Sequence, residues 1–361
     1  MKKSELFFPS SDKQTNIHMV MWEPDEEVLG VIQVVHGVTE HIMRYEELAY
    51  YFTNRGIAVV GIDLLGHGLS TNNGQKVMYF GGEGSWNYVV EDVNRCFVHA
   101  KEMYPDVPVT MLGFSLGSFL VRTHLINNPG LVDAAILVGT GYTSNLEISL
   151  AQSIVKSEKR KYGDNVATDK VRSLTFGTYN KKFQPNRTDY DWLCSDNEAL
   201  DEYISDSLRG ENITVGLFRE LLYGMKYTSN KKNICKMSQM KPILFLSGDK
   251  DAVGNFGKGV EKAYNIYRSC HLEDVSIKVY ENLRHDILHE KIKFSIFEDI
   301  YNWLKARKLV KEREEREVVP VKPKELSKKE EKGSKALVDS NEVISVLNQK
   351  SGEDGIVKKM K

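Results

Sequence analysis

Six short apolar runs punctuate the first 300 positions: VIQVV (31–35), AVVGID (58–63), VTMLGF (109–114), AAILVG (134–139), PILFLS (242–247) and VSIKVY (275–280). They are nearly continuous rather than alternating, which predicts strands covered on both faces by helices. Upstream, LFFPSSDKQTNIHMVMWEP reads as a strand, a turn and a second strand. Between the runs, apolar residues recur at helical spacing and predict helices over 43–55, 86–103, 116–128, 257–269 and 292–307. Strand and helix alternate, the signature of βαβ units. The expected fold is therefore α/β, with about eight mostly parallel strands, right-handed crossovers and helices on both faces.

One interval breaks the rhythm. About 100 residues separate Gly139 from Pro242 without a clear strand run, and a structureless loop of that size does not suit a compact domain. Within it, ITVGLFRELLYGMKY places Val215, Phe218, Leu221, Leu222 and Met225 at three- and four-residue spacing, an amphipathic helix. Leu146 to Val155 offers a second. Residues 142–238 are thus expected to form a mainly helical insertion, a cap over the strand ends, between core segments 1–141 and 239–310. The apolar stripe needs something to cover, and Phe218 and Leu222 are its candidate substrate contacts.

Composition changes after about residue 310. Residues 311–361 carry 13 basic and 11 acidic side chains, hence a net charge of +2, and contain no Phe, Trp or Tyr. Such a tail cannot bury enough apolar surface to offset the entropy of ordering, so disorder is expected, with VKEREERE continuing the last helix for a turn or two. A solubilising tail is the simpler reading, with contact to an anionic membrane surface or to another protein as the alternative. Overall, 49 basic residues stand against 50 acidic ones, so no nucleic-acid partner is indicated. No apolar run approaches the length of a membrane span, and MKKSELFFPSSDKQ shows no signal-peptide core. Cys96, Cys194, Cys235 and Cys270 have no metal-binding spacing; free thiols in a reduced, cytoplasmic setting are expected.

The chemistry begins at Gly113-Phe114-Ser115-Leu116-Gly117, directly after one apolar run and before a helical stretch. A GxSxG in that context is a nucleophile elbow, which exposes the serine at the carboxyl end of a strand above a helix N-terminus. A serine hydroxyl needs a base. Among the downstream histidines, His271 precedes the last strand and so lies at the wrong end. His285 follows that strand by five residues, and His289, four further on, is expected inside the following helix. His285 is the expected base. The acid should come from SGDKDAVG, where Asp251 can reach a neighbouring imidazole and Asp249 suits a turn-structuring role. For the oxyanion hole, Leu116 supplies one backbone N–H and Val38 the other, with Gly37 expected to make the sharp turn that aims it. His36 reads as a structural hydrogen-bonder, and Glu40, His41 and Arg44 as organisers of that loop.

These segments occur together and in order: HGxxEHxxRY at His36–Tyr45, DxxGHGxS at Asp63–Ser70, GxSxG, SGDKDAVG, and RHxxLxE at Arg284–Glu290. Together they resemble the monoacylglycerol lipase and lysophospholipase-like (serine aminopeptidase-like) group of α/β hydrolases over roughly residues 10–308. The resemblance implies the α/β-hydrolase fold with a cap inserted after the sixth strand. It also implies a Ser115–Asp251–His285 triad and oxyanion donors at Val38 and Leu116. NRTDYDWLCSD at 186–196 is similar to a cap motif of bacterial members. The chain departs from the group at Val38-Thr39, where a small residue and Gly are frequent, and at His289, where Asn is; neither is a triad position.

The function expected is cleavage of a lipid-like carboxylic monoester through an acyl-enzyme, without metal or organic cofactor. A peptidase or amidase would use the same machinery. A non-catalytic binding protein of this fold would be expected to carry a degraded triad, whereas all three positions are filled here.

Overall fold

The computed structural model describes residues 1–71 and 77–313. Among the described residues there are eight strands: β1 (Lys2–Pro9), β2 (Asn16–Glu23), β3 (Gly30–Val35), β4 (Ile57–Ile62), β5 (Val109–Phe114), β6 (Ala134–Val138), β7 (Ile243–Gly248) and β8 (Val275–Tyr280). They join in one sheet of order β1-β2-β4-β3-β5-β6-β7-β8. The opening hairpin is antiparallel, with Lys2 opposite Glu23, and β2 also runs antiparallel to β4. From β4 through β8 every pairing is parallel.

Helices α1 (Glu46–Thr53), α2 (Trp86–Met103) and α3 (Leu116–Asn127) follow β3, β4 and β5 in turn. The segment between β6 and β7 supplies α4 (Asn145–Tyr162), α5 (Asp169–Thr175), α6 (Asn197–Ser205), α7 (Val215–Ser229) and the single turn α8 (Lys231–Ile234). The chain then returns through α9 (Lys258–Arg268) and α10 (Lys293–Ala306).

Both faces of the sheet are covered, which is why its strands read as continuous apolar runs. Met111, Leu137 and Phe245 point to one side, where α2, α3 and α9 contribute Trp86, Leu120 and Tyr267. Leu112, Ile136 and Leu246 point to the other, against Phe52 of α1 and Phe297 of α10. Each such side chain withdrawn from water contributes about 1.5–3 kcal/mol. Helix α7 packs on α3 and α4, so the insertion belongs to the same compact unit as the sheet. Its outer part has a small core of its own around Trp192, Leu193, Leu200 and Tyr203.

Several expectations are revised. The helix foreseen over 43–55 starts as a 3-10 turn, Ile42–Tyr45, before α1. His289 ends another 3-10 turn, Ile287–His289, short of α10. The described part of VKEREERE does not prolong α10. Lys308 adopts a positive φ of 56°, and the Lys311 N–H bonds to the Leu29 carbonyl beside β3. The rest of the expected charged tail, from residue 314 onward, lies outside the described residues.

The cysteine expectation is corrected. Cys235 and Cys270 form a disulfide, while Cys96 and Cys194 are free and buried. The bond ties the residue after α8 to a residue just beyond α9. A separation of 35 residues carries no local signal; only the packing of α8 against α9 brings the two Cα atoms to 4.8 Å. The inference of a reduced compartment from four free thiols therefore loses its premise. Among the described residues, no helix is long and apolar enough to cross a membrane.

Candidate active site

The turn from β5 to α3 is sterically dictated. Ser115 has φ 48° and ψ −114°, outside the regions comfortable for an L-residue. A Cβ on Gly117 would lie 1.9 Å from the Val35 carbonyl oxygen, and one on Gly113 would lie 2.6 Å from the Gly117 oxygen. Only glycine fits either place. The two glycines let β5, β3 and α3 approach closely enough to hold the strained serine at the strand end.

His285 comes from the loop after β8. Its Nε2 lies 2.9 Å from Ser115 Oγ, and its Nδ1 lies 2.9 Å from Asp251 Oδ1. A carboxylate can only accept, so Nδ1 carries the hydrogen and Nε2 is free to accept from the serine hydroxyl. Asp251 is held by the loop after β7: its Oδ1 also accepts from the N–H groups of Val253 (2.8 Å) and Gly254 (3.1 Å). Both residues are buried. Asp249, two positions earlier, accepts from the Asn282 N–H at 2.6 Å and so braces the turn after β8 rather than the imidazole. His289 bonds neither Ser115 nor Asp251; its ring bonds Asp286 (2.8 Å) and the Arg44 carbonyl (3.0 Å). His271 lies beyond α9, ahead of β8.

Burial works to depress the His285 pKa, but the Asp251 carboxylate outweighs it, helped by Asp286 and Glu40, and the net shift is upward. A general base acts when neutral, so activity should be lost as pH falls through that raised value. The acid limb of kcat/KM is accordingly expected above the ordinary imidazole value of about 6.5. In Asp251→Asn the limb should move to lower pH, because burial then acts without the carboxylate. A limb that stays in place would mean that another group titrates.

The loop after β3 is built differently from expectation. The left-handed residue is Thr39, with φ 60°, and not Gly37. Gly37 is needed for space: a Cβ there would meet the Phe114 ring and the Glu40 carboxylate at 3.0 Å. His36 Nδ1–H donates to the Gly37 carbonyl (2.7 Å), and its Nε2 accepts from the Leu64 N–H (2.9 Å). Burial and the nearby His67 push the His36 pKa down to about 3, so this neutral bridge persists at any working pH. The Gly37 carbonyl and the Val38 N–H share one peptide plane; His36 thereby fixes the direction of that N–H. Glu40 accepts from the Gly37 N–H, from Tyr45 OH (2.9 Å) and from Arg44, whose guanidinium also reaches Asp286 at 3.1 Å. One buried network thus joins the loop after β3 to the loop carrying His285.

Ser115 and His285 open on a cavity of about 310 Å³, which Val38 and Leu116 also line. Its walls are mainly apolar. Phe218, Leu221, Leu222 and Met225 of α7 all line it, whereas Val215 of the same stripe turns into the core with Leu217. Trp192, from the NRTDYDWLCSD segment, packs on the His285 ring at 5.6 Å. Arg284 anchors that segment by donating to the Asp191 and Cys194 carbonyls.

Sequence reasoning overlooked Arg122, a fully buried guanidinium within the apolar helix α3. It donates to Tyr267 OH (3.1 Å), the Gly141 carbonyl (3.0 Å) and the Thr228 carbonyl (2.8 Å). It therefore pins both ends of the insertion to the helix behind Ser115. A lone cation inside LGSFLVRTHLIN was the available signal, since a buried charge must find partners. Tyr203 and Trp192 were also overlooked as cavity walls, because their helical or loop segments carry no spacing that points to Ser115. Among the described residues, no group of three or more His, Cys, Asp or Glu is placed to hold a metal.

A hydroxyl that donates to an imidazole, which in turn donates to a buried carboxylate, is the arrangement that lets a serine attack an electrophilic carbonyl. Comparison with known proteins agrees with that chemistry. Residues 26–292 match the family described as serine aminopeptidase, S33. The chain is 27% identical to the monoglyceride lipase homolog of Monkeypox virus over 80% of its length and 94% of the relative's. It is 24% identical to the monoacylglycerol lipase of Mycolicibacterium smegmatis, covering 79% and 91% of the two chains. A thermostable carboxyl esterase from Bacillus coagulans superposes with a TM-score of 0.79 at 24% identity, over 85% of this chain and 99% of that one.

Proposed function

The chain belongs to the serine aminopeptidase S33 family, an α/β-hydrolase group, and from that premise we propose the reaction that its cavity serves. It is a serine hydrolase that cleaves carboxylic esters, and its substrates are lipid-like monoesters such as a monoacylglycerol or a lysophospholipid. The observation that carries this reading is the apolar cavity walled by α7 directly at Ser115 and His285. Similarity to a monoglyceride lipase homolog and to a monoacylglycerol lipase, over most of their lengths, supports it.

Ser115 Oγ attacks the ester carbonyl while His285 takes its proton, and Asp251 holds and stabilises the resulting imidazolium. The N–H groups of Val38 and Leu116 receive the oxyanion. His285 returns the proton to the leaving alcohol, and water then releases the fatty acid from Ser115 by the same steps in reverse. The α4–α8 insertion is the cap that receives the acyl chain. A non-catalytic binding role would leave the aligned hydroxyl, imidazole and carboxylate without a use.

A panel of p-nitrophenyl esters of graded length, run beside monoacylglycerol, lysophosphatidylcholine and aminoacyl anilides, tests the reading. Each added methylene should contribute up to about 0.8 kcal/mol to kcat/KM until the cavity is filled. Phe218→Asp or Leu222→Asp should flatten that dependence more than it lowers acetyl-ester turnover. Equal loss on short and long esters would make the stripe structural, and faster turnover of the anilides would make the protein an amidase.

A further inference from the structure

We infer that Tyr203, on the inserted helix α6, is a positioning residue for the oxyanion loop and acts through Thr39. The inference rests on the assignment of the Val38 N–H as an oxyanion donor. Thr39 is β-branched and yet held at φ 60°, a conformation such a residue keeps only when its surroundings impose it. Its hydroxyl lies 2.6 Å from the Val38 carbonyl and 2.7 Å from Tyr203 OH. The single hydroxyl hydrogen goes to the carbonyl, so Tyr203 must be the donor to Thr39 Oγ1.

The peptide planes on the two sides of Val38 are therefore pinned from opposite directions. The plane before it is fixed from the core, by His36 on the Gly37 carbonyl. The plane after it is fixed by the Thr39 hydroxyl, which the insertion holds through Tyr203. Tyr203 is itself well anchored: it is 4% exposed, and the guanidiniums of Arg44 and Arg209 lie over its ring, each 4.9 Å from the centroid. A second tether follows close by, where His41 Nε2 meets Asp206 Oδ2 at 2.6 Å. Seating α6 against the loop and completing the oxyanion hole are one structural event. Tyr203 also lines the cavity, so it reports the position of the insertion to the reacting centre.

Tyr203→Phe keeps the ring and removes only the hydroxyl, the donor to Thr39 Oγ1. It should lower kcat three- to ten-fold or so on both p-nitrophenyl acetate and p-nitrophenyl decanoate, with KM unchanged, as expected for one hydrogen bond. Glycine adopts φ 60° freely and has no hydroxyl to anchor. In a Thr39→Gly background the same Tyr203→Phe change should therefore alter kcat by less than about two-fold, a non-additive cycle. Additive effects of the two substitutions, or a rise in KM confined to the decanoate, would overturn the inference and leave Tyr203 as a cavity wall. Ser115→Ala is assayed alongside. If it retains activity, the functional reading fails; if it is inactive while the cycle is additive, only this inference fails.

Discussion

Ser115→Ala is expected to lower ester hydrolysis by about 10⁴-fold or more with no loss of fold, and fluorophosphonate labelling should disappear with it. The size follows from removing the attacking atom: what remains is binding and the oxyanion donors, and a 10⁴-fold deficit corresponds to about 5.5 kcal/mol of lost transition-state stabilisation. Folding should be untouched for a specific reason. Alanine carries the same Cβ as serine, so the strain at φ 48° is unchanged, and Gly113 and Gly117 still leave room for the turn. Turnover above a few per cent of wild type, at an unaltered melting temperature, would remove Ser115 from the reaction.

The second large effect belongs to Asp251. Asp251→Ala should reduce kcat by about 10⁴-fold, because His285 loses the acceptor that fixes its tautomer and the charge that stabilises its protonated form. Asp251→Asn should be milder. All three donors to this carboxylate that orient the site, His285 Nδ1 and the N–H groups of Val253 and Gly254, converge on one oxygen, Oδ1. An amide can place its own oxygen there and keep the three bonds, so the main loss is the charge. Asp249→Asn should stay within about ten-fold of wild type, since that carboxylate braces the Asn282 turn and pairs with Lys250 rather than with His285. Measured kcat values for the three variants decide the matter: a larger loss at position 249 than at 251 would reverse the two roles.

Much of this protein was legible without tertiary information, wherever the signal is local. Strands buried on both faces must be apolar at every position, so β3 to β7 stand out as continuous runs. The elbow could be read because its steric demand falls on residues two before and two after Ser115. His285 and Asp251 could be placed near it because parallel strands bring their following loops to one edge of the sheet. Helix α7 announced itself by its spacing, and four of its five stripe residues do line the cavity.

What stayed hidden depends on contacts between distant segments. The positive φ lies at Thr39 rather than Gly37, since glycine was required there for room against Phe114 and Glu40, and no propensity rule separates those two uses. The Cys235–Cys270 disulfide needs α8 beside α9. Arg122 looks misplaced in an apolar helix until the ends of the insertion arrive as acceptors, and Tyr203 meets Thr39 across 164 positions of chain. Sequence alone could specify the sheet, the strained serine and the residue types around it, because each is a constraint on neighbours in the chain. How the insertion is pinned and how it touches the oxyanion loop were decided only by the folded structure, because a hydrogen bond between remote segments leaves no period or spacing in either of them.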